Sequence, residues 1–271
     1  MNSGDKTGQG QERRKRGGAC VVVTGAGGGI GAAVAKRLHA DGWTVIATDM
    51  SVEALEASLT QDERMVFASL NVSDKEQIEH LAAMLNAREG GVAGLVNIAG
   101  VLQDVKPLLE MDQEVARRIW DVNYFGAENC IKALVTSMIA GGGGSIVNIT
   151  SINELRPLPL HSYAPSKVAL GALTALAAGE FGPRGVRVNS VAPGFTLTPI
   201  FRGKLESGKR DAGTIEDHTA MGRLVETSEI ASTVSFLIGD DASAITGVSL
   251  PVDCGWLATS HWMNFRELSA A

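Results

Sequence analysis

The chain has 271 residues, of which 45% are hydrophobic and 20% charged, and its formal net charge is −6. This balance is typical of a folded globular protein and argues against a broad nucleic-acid surface, which needs clustered positive charge. No apolar run reaches the roughly 18 residues of a membrane span, and Cys20, Cys130 and Cys254 are too scattered for a disulfide framework or a zinc site. We therefore expect a cytoplasmic protein that binds no metal, no nucleic acid and no membrane.

The two ends of the chain differ from the body. Residues 1–19 are polar, glycine-rich and basic, and they lack the apolar segment of a secretory signal. Their composition favours a disordered tail over a nucleic-acid arm. Residues 20–258 show no linker-like stretch, so we predict a single domain there, followed by a C-terminal extension at 259–271.

In the body, short β-branched runs alternate with longer helical patterns. The predicted strands are 20–24, 43–48, 64–70, 93–97, 145–150, 186–192 and 247–252, and the predicted helices include 29–40, 51–59, 74–88, 112–139 and 162–181. Several runs are apolar almost throughout, as strands buried on both faces are. The alternation predicts an α/β protein with about seven parallel strands and helices on both faces.

The longest predicted helix, 112–139, exceeds what one face of a sheet needs to cover. Its apolar stripe includes Val115, Ile119, Leu134 and Met138 at helical spacing. We expect part of this stripe to pack against a second subunit, which predicts a homo-oligomer, either a dimer or a tetramer.

A glycine-rich turn follows the first predicted strand and opens into a helix. Gly25, Gly29 and Gly31 allow a tight turn that brings main-chain N–H groups and a helix N-terminus close to a pyrophosphate. Asp49 ends the next strand, where a carboxylate accepts hydrogen bonds from an adenosine ribose. The alternative is a helix N-cap formed by Asp49 or Ser51. Because a carboxylate repels a 2′-phosphate and no Arg or Lys adjoins it, the pattern favours NAD over NADP.

These motifs together resemble the short-chain dehydrogenase/reductase family from residue 20 to about 257. The segments that carry the resemblance are "TGAGGGIG" (24–31), "NIAG" (97–100), "DVNYFG" (121–126), "SIVNITS" (145–151), "YAPSK" (163–167) and "VNSVAPGFTLTP" (188–199). The resemblance implies a Rossmann-type doubly wound fold and an oxidoreductase.

The resemblance also implies the residues of the site. The implied catalytic residues are Asn123, Ser151, Tyr163 and Lys167. The implied cofactor-binding residues are Gly25, Gly29, Ile30, Gly31, Asp49, Asn71, Val72, Asn97, Ala99, Gly100, Tyr163, Lys167, Pro193, Gly194, Thr196 and Thr198.

Three positions depart from the family pattern. Asn71 stands where the family commonly has Asp, and we expect its side-chain oxygen to accept from the adenine amine, with a weakened contact. Ile98 replaces the second Asn of "NNAG", which a main-chain role tolerates. Cys254 replaces the first glycine of a pair, a change that we expect to matter little to catalysis.

The catalytic residue types suit hydride-transfer chemistry, in which an alcohol proton leaves as hydride moves to a nicotinamide. Tyr163 and Lys167 lie one helical turn apart, so the ammonium is expected to lower the pKa of the tyrosine, which acts as the base. Ser151 stabilises the charge on the substrate oxygen. The resemblance implies that Asn123 holds a water that relays the proton, and the alternative is a kink or cap in its helix. Pro165 fits the first turn of the helix, with Ser162 as N-cap.

The substrate is less defined by the sequence. We expect Leu155, Leu158 and Leu160 to line an apolar pocket, and residues 194–225 to form a lid. Arg156 is read as a loop arginine rather than a carboxylate ligand, and His161 and His261 as surface or packing residues. The segment "HWMNF" (261–265) is a candidate cover for the site.

We therefore predict an NAD-dependent oxidoreductase acting on a small hydrophobic or alicyclic alcohol, ketone or dihydrodiol. One alternative is a 3-oxoacyl-thioester reductase, whose carrier-protein partner would need a basic patch such as Arg202, Lys204, Lys209 and Arg210. The others are a hydroxysteroid reductase or dehydrogenase and a non-catalytic NAD-binding sensor.

Overall fold

The computed structural model describes residues 18–208 and 211–259. The strands are β1 (Cys20–Thr24), β2 (Thr44–Asp49), β3 (Met65–Ser69), β4 (Val92–Asn97), β5 (Gly144–Ile149), β6 (Val186–Pro193) and β7 (Ser249–Val252). The α-helices are α1 (Gly29–Ala40), α2 (Val52–Ser58), α3 (Lys75–Asn86), α4 (Gln113–Trp120), α5 (Ala127–Ala140), α6 (Ile152–Leu155), α7 (Tyr163–Phe181), α8 (Pro199–Glu206), α9 (Ala212–Glu216), α10 (Thr227–Ile238) and α11 (Trp256–Thr259).

All seven strands join one parallel sheet in the order β3-β2-β1-β4-β5-β6-β7. The order reverses between β1 and β4, which are neighbours in the sheet although β2 and β3 separate them in the chain. This is the doubly wound, Rossmann-type arrangement, and it leaves a crevice at the carboxyl ends of β1 and β4. The predicted fold class is confirmed, with seven strands.

The sheet separates two hydrophobic clusters, and the alternation of side chains along β1 shows why its strands are apolar throughout. Val21 and Val23 belong to one cluster, with side chains of α1, α2 and α10. Cys20 and Val22 point the other way, into a cluster with side chains of α3, α5 and α7. Each residue of β1 is therefore buried by one helical layer or the other.

The predicted long helix 112–139 is wrong in one respect. It consists of α4 and α5 joined by a π-helical segment, Asp121–Gly126. Gly126 lies so close to the loop after β3 that an added Cβ would approach Val72 Cγ2 to 2.8 Å. Ile119 is buried in the first half of the stripe, whereas Val115 and Phe125 are 46% and 45% exposed.

Several predictions fall outside the described part of the chain. They concern the tail as far as residue 17, the basic residues Lys209 and Arg210, and the C-terminal extension after Thr259 with His261. Across residues 18–208 and 211–259, no helix has the length and apolarity needed to cross a membrane.

Candidate active site

A cavity of about 1500 Å³ opens at the carboxyl ends of the strands, where the strand order reverses. This volume exceeds the roughly 300–1,000 Å³ of a site for one small ligand, so it has room for a cofactor beside a substrate. Most of the predicted site residues line it: Gly25, Gly29, Ile30, Gly31, Asp49, Asn71, Val72, Ala99, Gly100, Ser151, Tyr163, Lys167, Pro193, Gly194, Thr196 and Thr198. Asn97 and Asn123 are absent from the lining.

The glycine turn between β1 and α1 needs its glycines for two different reasons. Gly25 has a φ of +67°, in the left-handed region that favours glycine. Gly31 has no such strain, but a Cβ built on it would lie 1.9 Å from the carbonyl oxygen of Gly25. The turn therefore has room for main-chain atoms alone, and its N–H groups can approach an anion closely.

Asp49 lies at the end of β2 against this turn. Its Oδ2 accepts a hydrogen bond from Gly27 N at 3.0 Å, and its Oδ1 accepts from Ser51 N at 3.3 Å. The N-cap of α2 is Ser51, whose Oγ accepts from Ala54 N at 3.1 Å. The N-cap alternative thus belongs to Ser51, while Asp49 borders the cavity and keeps lone pairs for a further donor.

The expectation for Asn71 is not supported by the geometry. Its Oδ1 already accepts from Ser73 N at 3.1 Å and from Ser73 Oγ at 2.7 Å. An amide oxygen has two lone pairs, so these bonds use its acceptor capacity within the turn after β3. The amide nitrogen of Asn71 is the group that remains for a ligand, and it is a donor rather than an acceptor for the adenine amine.

Asn97 lies at the end of β4, but its side chain joins a buried network within the sheet. Its Nδ2 donates to Asn148 Oδ1 at 2.8 Å, and Asn148 Nδ2 donates to Thr174 Oγ1 at 2.9 Å. The side-chain oxygen of Asn97 is buried without a hydrogen-bond partner. The side chain of Asn97 therefore ties β4 to β5 and α7 and does not line the cavity, so the predicted contact with the cofactor would fall to its main chain.

Asn123 lies in the π-helical segment and is 1% exposed. Its Oδ1 accepts from Val101 N at 2.8 Å, and its Nδ2 donates to Val101 O at 3.1 Å and to Ser166 Oγ at 3.3 Å. The amide thus joins the loop after β4 to α7, and these hydrogen bonds go to Val101 and Ser166 rather than to Tyr163 or Lys167. The kink alternative describes this position well, and any part in proton relay has to involve its main chain.

Ser151, Tyr163 and Lys167 come together at the other end of the cavity. The Nζ of Lys167 lies 5.7 Å from the centre of the Tyr163 ring and donates to Ile149 O at 2.7 Å. Helix α7 begins at Tyr163, and Pro165 occupies its first turn, as predicted.

Burial dominates the acidity of the pair. Burial raises the pKa of Tyr163, although the hydrogen bond from Ser151 acts to lower it. Burial also lowers the pKa of Lys167 to about 8, although the nearby carboxylate of Glu154 acts to raise it. The expected lowering of the Tyr163 pKa is therefore not the net effect here, because desolvation of a phenolate outweighs the stabilising contact.

Gln103 is a site residue that the sequence did not indicate. It is 8% exposed, and its Oε1 accepts from Ser162 N at 2.8 Å and from Tyr163 N at 3.1 Å. Ser162 holds the N-cap position as predicted, but its side chain makes no capping hydrogen bond. The cap of α7 is therefore supplied by a loop 60 residues earlier in the chain, which no local signal reveals.

The remainder of the catalytic end is mainly apolar. Its lining includes Leu158, Leu160, Phe195, Ile200 and Phe201. Leu155 was expected there, but it is not part of the lining and is 48% exposed, because α6 turns it outward.

The polar side chains that the sequence offered near the substrate, Arg156, His161 and the described part of the basic patch, mostly do not line the cavity. Arg156 donates to Leu257 O at 3.3 Å and lies 5.6 Å from the centre of the Trp256 ring, so it joins α6 to α11. His161 is exposed. Of the two described members of the predicted basic patch, Arg202 pairs with Glu226 at 2.9 Å, and Lys204 borders the cavity.

The segment predicted as a lid, 194–225, contains α8 and α9. Main-chain hydrogen bonds connect the two ends of the segment: Leu197 N donates to Val225 O at 2.8 Å, and Val225 N donates to Phe195 O at 3.0 Å. Among the described residues, no three His, Cys, Asp or Glu side chains are grouped so that they could hold a metal ion.

Comparison with known proteins places this geometry among oxidoreductases. Residues 25–257 match a family model described as enoyl-(acyl carrier protein) reductase. A 2,5-dichloro-2,5-cyclohexadiene-1,4-diol dehydrogenase from Sphingobium indicum is 34% identical over 89% of this chain and 98% of its own length. A cis-4-hydroxycyclohexanecarboxylate dehydrogenase from Sinomonas cyclohexanicum is 34% identical over 88% and 96%. A 3-oxoacyl-acyl-carrier-protein reductase from Thermotoga maritima is 34% identical over 88% and 97%.

Solved structures agree on the fold. ElxO with NADP bound has a TM-score of 0.83 and 29% identity over 89% of this chain and 99% of that chain. A crystal structure named as a ribose-5-phosphate isomerase from Brucella melitensis 16M has a TM-score of 0.85 and 40% identity over 92% and 96%. That name belongs to a different reaction class from those of the curated relatives.

Proposed function

The chain belongs to the short-chain dehydrogenase/reductase family, whose members are oxidoreductases that use a nicotinamide cofactor, and from this premise we propose an NAD-dependent dehydrogenase of secondary alcohols. The observation that carries the proposal is the convergence of Ser151, Tyr163 and Lys167 on the same cavity as the glycine turn. A sensor that only binds the cofactor needs the turn but not a base.

The residues present fit a nicotinamide dinucleotide. The turn at Gly25 and Gly31 has main-chain atoms where a side chain would collide, and Asp49 presents a carboxylate beside it. We propose that the turn holds the pyrophosphate, that Asp49 binds the adenosine ribose, and that Thr196 and Thr198 border the nicotinamide. When bound, the cofactor supplies the hydride acceptor or donor.

Tyr163 is the proposed proton-transfer group. Because burial raises its pKa, it is protonated near neutral pH and suited to donate a proton to a ketone oxygen. In the oxidative direction it has to lose this proton first, so the oxidation rate rises with pH. The ammonium of Lys167 favours the phenolate, and burial weakens this support by lowering the pKa of Lys167 itself. We also propose that Asn123 serves a proton relay through its main chain.

The proposed substrate is a small alicyclic alcohol, ketone or dihydrodiol. The apolar lining formed by Leu158, Leu160 and Phe195 supports this class, as do the two relatives named for cyclic substrates. A 3-oxoacyl thioester is the second candidate, favoured by the family model's description and by Lys204 at the cavity.

NAD is the proposed cofactor because the carboxylate of Asp49 would lie next to the 2′-phosphate of NADP and repel its negative charge. The residue immediately after Asp49 is Met50, which is 64% exposed, and not an arginine or lysine that could pair with the phosphate. Replacing Asp49 with Ala removes the repulsion, so the ratio of kcat/KM with NAD to that with NADP should fall by at least about tenfold, equivalent to 1.4 kcal/mol. An unchanged ratio would contradict the role of Asp49.

We further propose a cytoplasmic homo-oligomer. The exposed Val115 and Phe125, which lie on α4 and the π-helical segment, offer apolar surface to a second copy. The cysteines Cys20, Cys130 and Cys254 are unpaired and buried, which suits a reducing compartment. Size-exclusion chromatography with light scattering tests the assembly, and a monomer would contradict it.

The central test is a panel of alicyclic alcohols, dihydrodiols, steroids and acyl thioesters, assayed by nicotinamide absorbance with NAD and NADP in parallel. We expect the highest kcat/KM with an alicyclic alcohol and NAD. Turnover confined to acyl thioesters would contradict the alicyclic substrate and favour the 3-oxoacyl thioester. Better rates with NADP than with NAD would overturn the cofactor assignment. Product formation without any change in absorbance would indicate an isomerase instead.

A further inference from the structure

Asn153 lies two residues after Ser151, in the first turn of α6, and it has no part in the site described above. Its side chain is 5% exposed and borders the cavity. Its Nδ2 lies 3.1 Å from Ser151 Oγ, and its main-chain N lies 3.2 Å from the same oxygen. Two donors from one residue thus converge on the catalytic hydroxyl.

The orientation of the Asn153 amide is determined by its other contact. The Oδ1 atom accepts a hydrogen bond from the main-chain N–H of Leu158 at 2.9 Å. Because a main-chain N–H can only donate, the oxygen of the amide has to face Leu158, and the NH₂ group has to face Ser151.

The hydrogen-bonding capacity of Ser151 is consequently restricted. A serine hydroxyl has two acceptor lone pairs and one donor hydrogen. Asn153 N–H and Asn153 Nδ2–H occupy the two lone pairs, so the hydroxyl hydrogen is directed to an acceptor elsewhere. The neighbouring acceptor on the cavity side is the hydroxyl of Tyr163, and a substrate oxygen between them would be the other.

We propose that Asn153 is a positioning residue that makes Ser151 an obligate hydrogen-bond donor, toward Tyr163 in the free protein and toward the substrate oxygen when substrate is bound. The proposal rests on the proposed function, in which negative charge develops on the substrate oxygen during ketone reduction. A hydroxyl that is free to rotate would spend part of its time as an acceptor, which stabilises no such charge. The pair Asn153–Ser151 is therefore preorganised for the reaction.

The decisive variant is Asn153→Asp, which keeps nearly the same shape. One carboxylate oxygen still accepts from Leu158 N, while the other replaces the donor with an acceptor, so the Ser151 hydroxyl turns toward it. We expect kcat to fall about 10²–10³-fold, as for the loss of an oxyanion donor, with little change in the Kd of the cofactor. We also expect kcat for reduction to recover as the pH is lowered, since protonation of the new carboxylate restores a donor.

A double-mutant cycle separates positioning from a direct or merely structural role. If Asn153 acts through Ser151, then Asn153→Asp in a Ser151→Ala background lowers kcat by less than about twofold, because there is no hydroxyl left to orient. Equal losses in both backgrounds would overturn the proposal. Asn153→Ala keeps the main-chain donor and should give a smaller loss than Asn153→Asp, and the reverse order would also overturn it.

A titration without substrate keeps this test independent of the proposed activity. The chain has two tyrosines, Tyr124 and Tyr163, so tyrosinate absorbance in a Tyr124→Phe background reports Tyr163 alone. We expect a higher pKa of Tyr163 in Asn153→Asp and in Ser151→Ala than in the parent, because a donor to the phenolate is lost in both. An unchanged pKa would refute the positioning role, whereas a raised pKa in a protein that turns over no substrate of the panel would refute the proposed function alone.

Discussion

At the glycine-turn end of the cavity, main-chain atoms between β1 and α1 and one carboxylate on β2 form the surface that faces a ligand. At the catalytic end, the surface consists of side chains from the loop after β4, from α6 and from α7. The turn and its carboxylate lie between Gly25 and Asp49, close together in the chain, and Asn71 and Val72 of the next loop also line the cavity. The second end brings together Gln103, Ser151 and Lys167, which are spread over 64 positions of the chain.

The two ends tolerate change differently for this reason. A main-chain cradle fails when added atoms occupy its space, so its weak points are glycines. A side-chain cluster fails when a donor, an acceptor or a charge is altered, so its weak points include residues that hold a catalytic side chain in place, such as Gln103. We expect changes at the first end to reduce cofactor affinity and changes at the second end to reduce kcat.

The largest effect is expected for Tyr163→Phe. It removes the group that transfers the proton but leaves the apolar ring in place, so kcat should fall by about 10²–10⁴-fold while the Kd of the cofactor, measured by fluorescence quenching, changes little. Tyr124→Phe is the matched control, since Tyr124 is the other tyrosine and packs on Trp120 and Phe125. Normal turnover by Tyr163→Phe would refute the division between the two ends.

Gly31→Ala tests the cradle. The added methyl group would lie 1.9 Å from Gly25 O, so the turn has to move, at a cost of about 1–3 kcal/mol in the free energy of unfolding, and cofactor affinity should fall more than kcat. Gly179→Ala is the control, because its Cβ meets nothing within 4 Å on the exposed surface of α7. That variant should gain about 0.5–1 kcal/mol. Equal stability of the two variants in urea unfolding would contradict the steric argument.

Lys167→Met is expected to separate stability from activity. The pKa of Lys167 is about 8 in the folded chain, against an ordinary 10.5. Between these values the unfolded chain holds the proton and the folded chain does not, so this group makes the free energy of unfolding rise with pH, by about 3 kcal/mol in all. Near neutral pH the variant avoids that burial cost and should be about 1–3 kcal/mol more stable than the parent, although it is inactive.

The stability advantage of Lys167→Met should shrink as the pH approaches about 10, where the parent's unfolded chain loses its proton as well. Urea unfolding of both proteins at neutral and alkaline pH measures this difference. A variant that is less stable at every pH would show that the bond from Lys167 Nζ to Ile149 O outweighs desolvation.

The smallest of these effects is expected for Gln103→Met, which has similar volume but no acceptor. It leaves Ser162 N and Tyr163 N without the cap, at a cost of about 0.5–2 kcal/mol, and kcat should fall modestly as the tyrosine loses its fixed position. Gln103→Glu keeps an oxygen for both N–H groups and should retain most of the stability. If thermal unfolding does not distinguish Met from Glu at this position, the cap does not position Tyr163.

The comparison also explains which predictions from the sequence succeeded. Helix α1 begins and ends at the predicted residues 29 and 40, and the first turn of α7 accommodates Pro165 as expected. The parallel sheet and its two buried faces follow from the alternation of strand and helix patterns, whereas the strand order is a feature of the folded structure. The π-helical break at Asp121–Gly126 is not marked by a proline in the sequence, which indicated a kink only as the alternative role of Asn123.

The sequence was less informative about polar side chains that hydrogen-bond to distant residues or whose acceptor atoms are already occupied. Asn71 does line the cavity, as the sequence indicated, but its side-chain oxygen is occupied by Ser73, and the side chains of Asn97 and Asn123 hydrogen-bond to Asn148 and Val101 instead of facing the cavity. Gln103 and Asn153 were missed for the converse reason. Each supports a catalytic residue through hydrogen bonds that exist only once the chain has folded.

The sequence by itself determined the fold class, the glycine turn with Asp49, and the helical register that puts Tyr163 and Lys167 on one face, because these depend on residues close together in the chain. The tertiary structure alone decided which amides face the cavity, which residue caps α7, and how strongly burial shifts the pKa values of Tyr163 and Lys167. Those properties depend on desolvation and on hydrogen bonds between distant segments, and neither exists before the sheet and its two helical layers have packed.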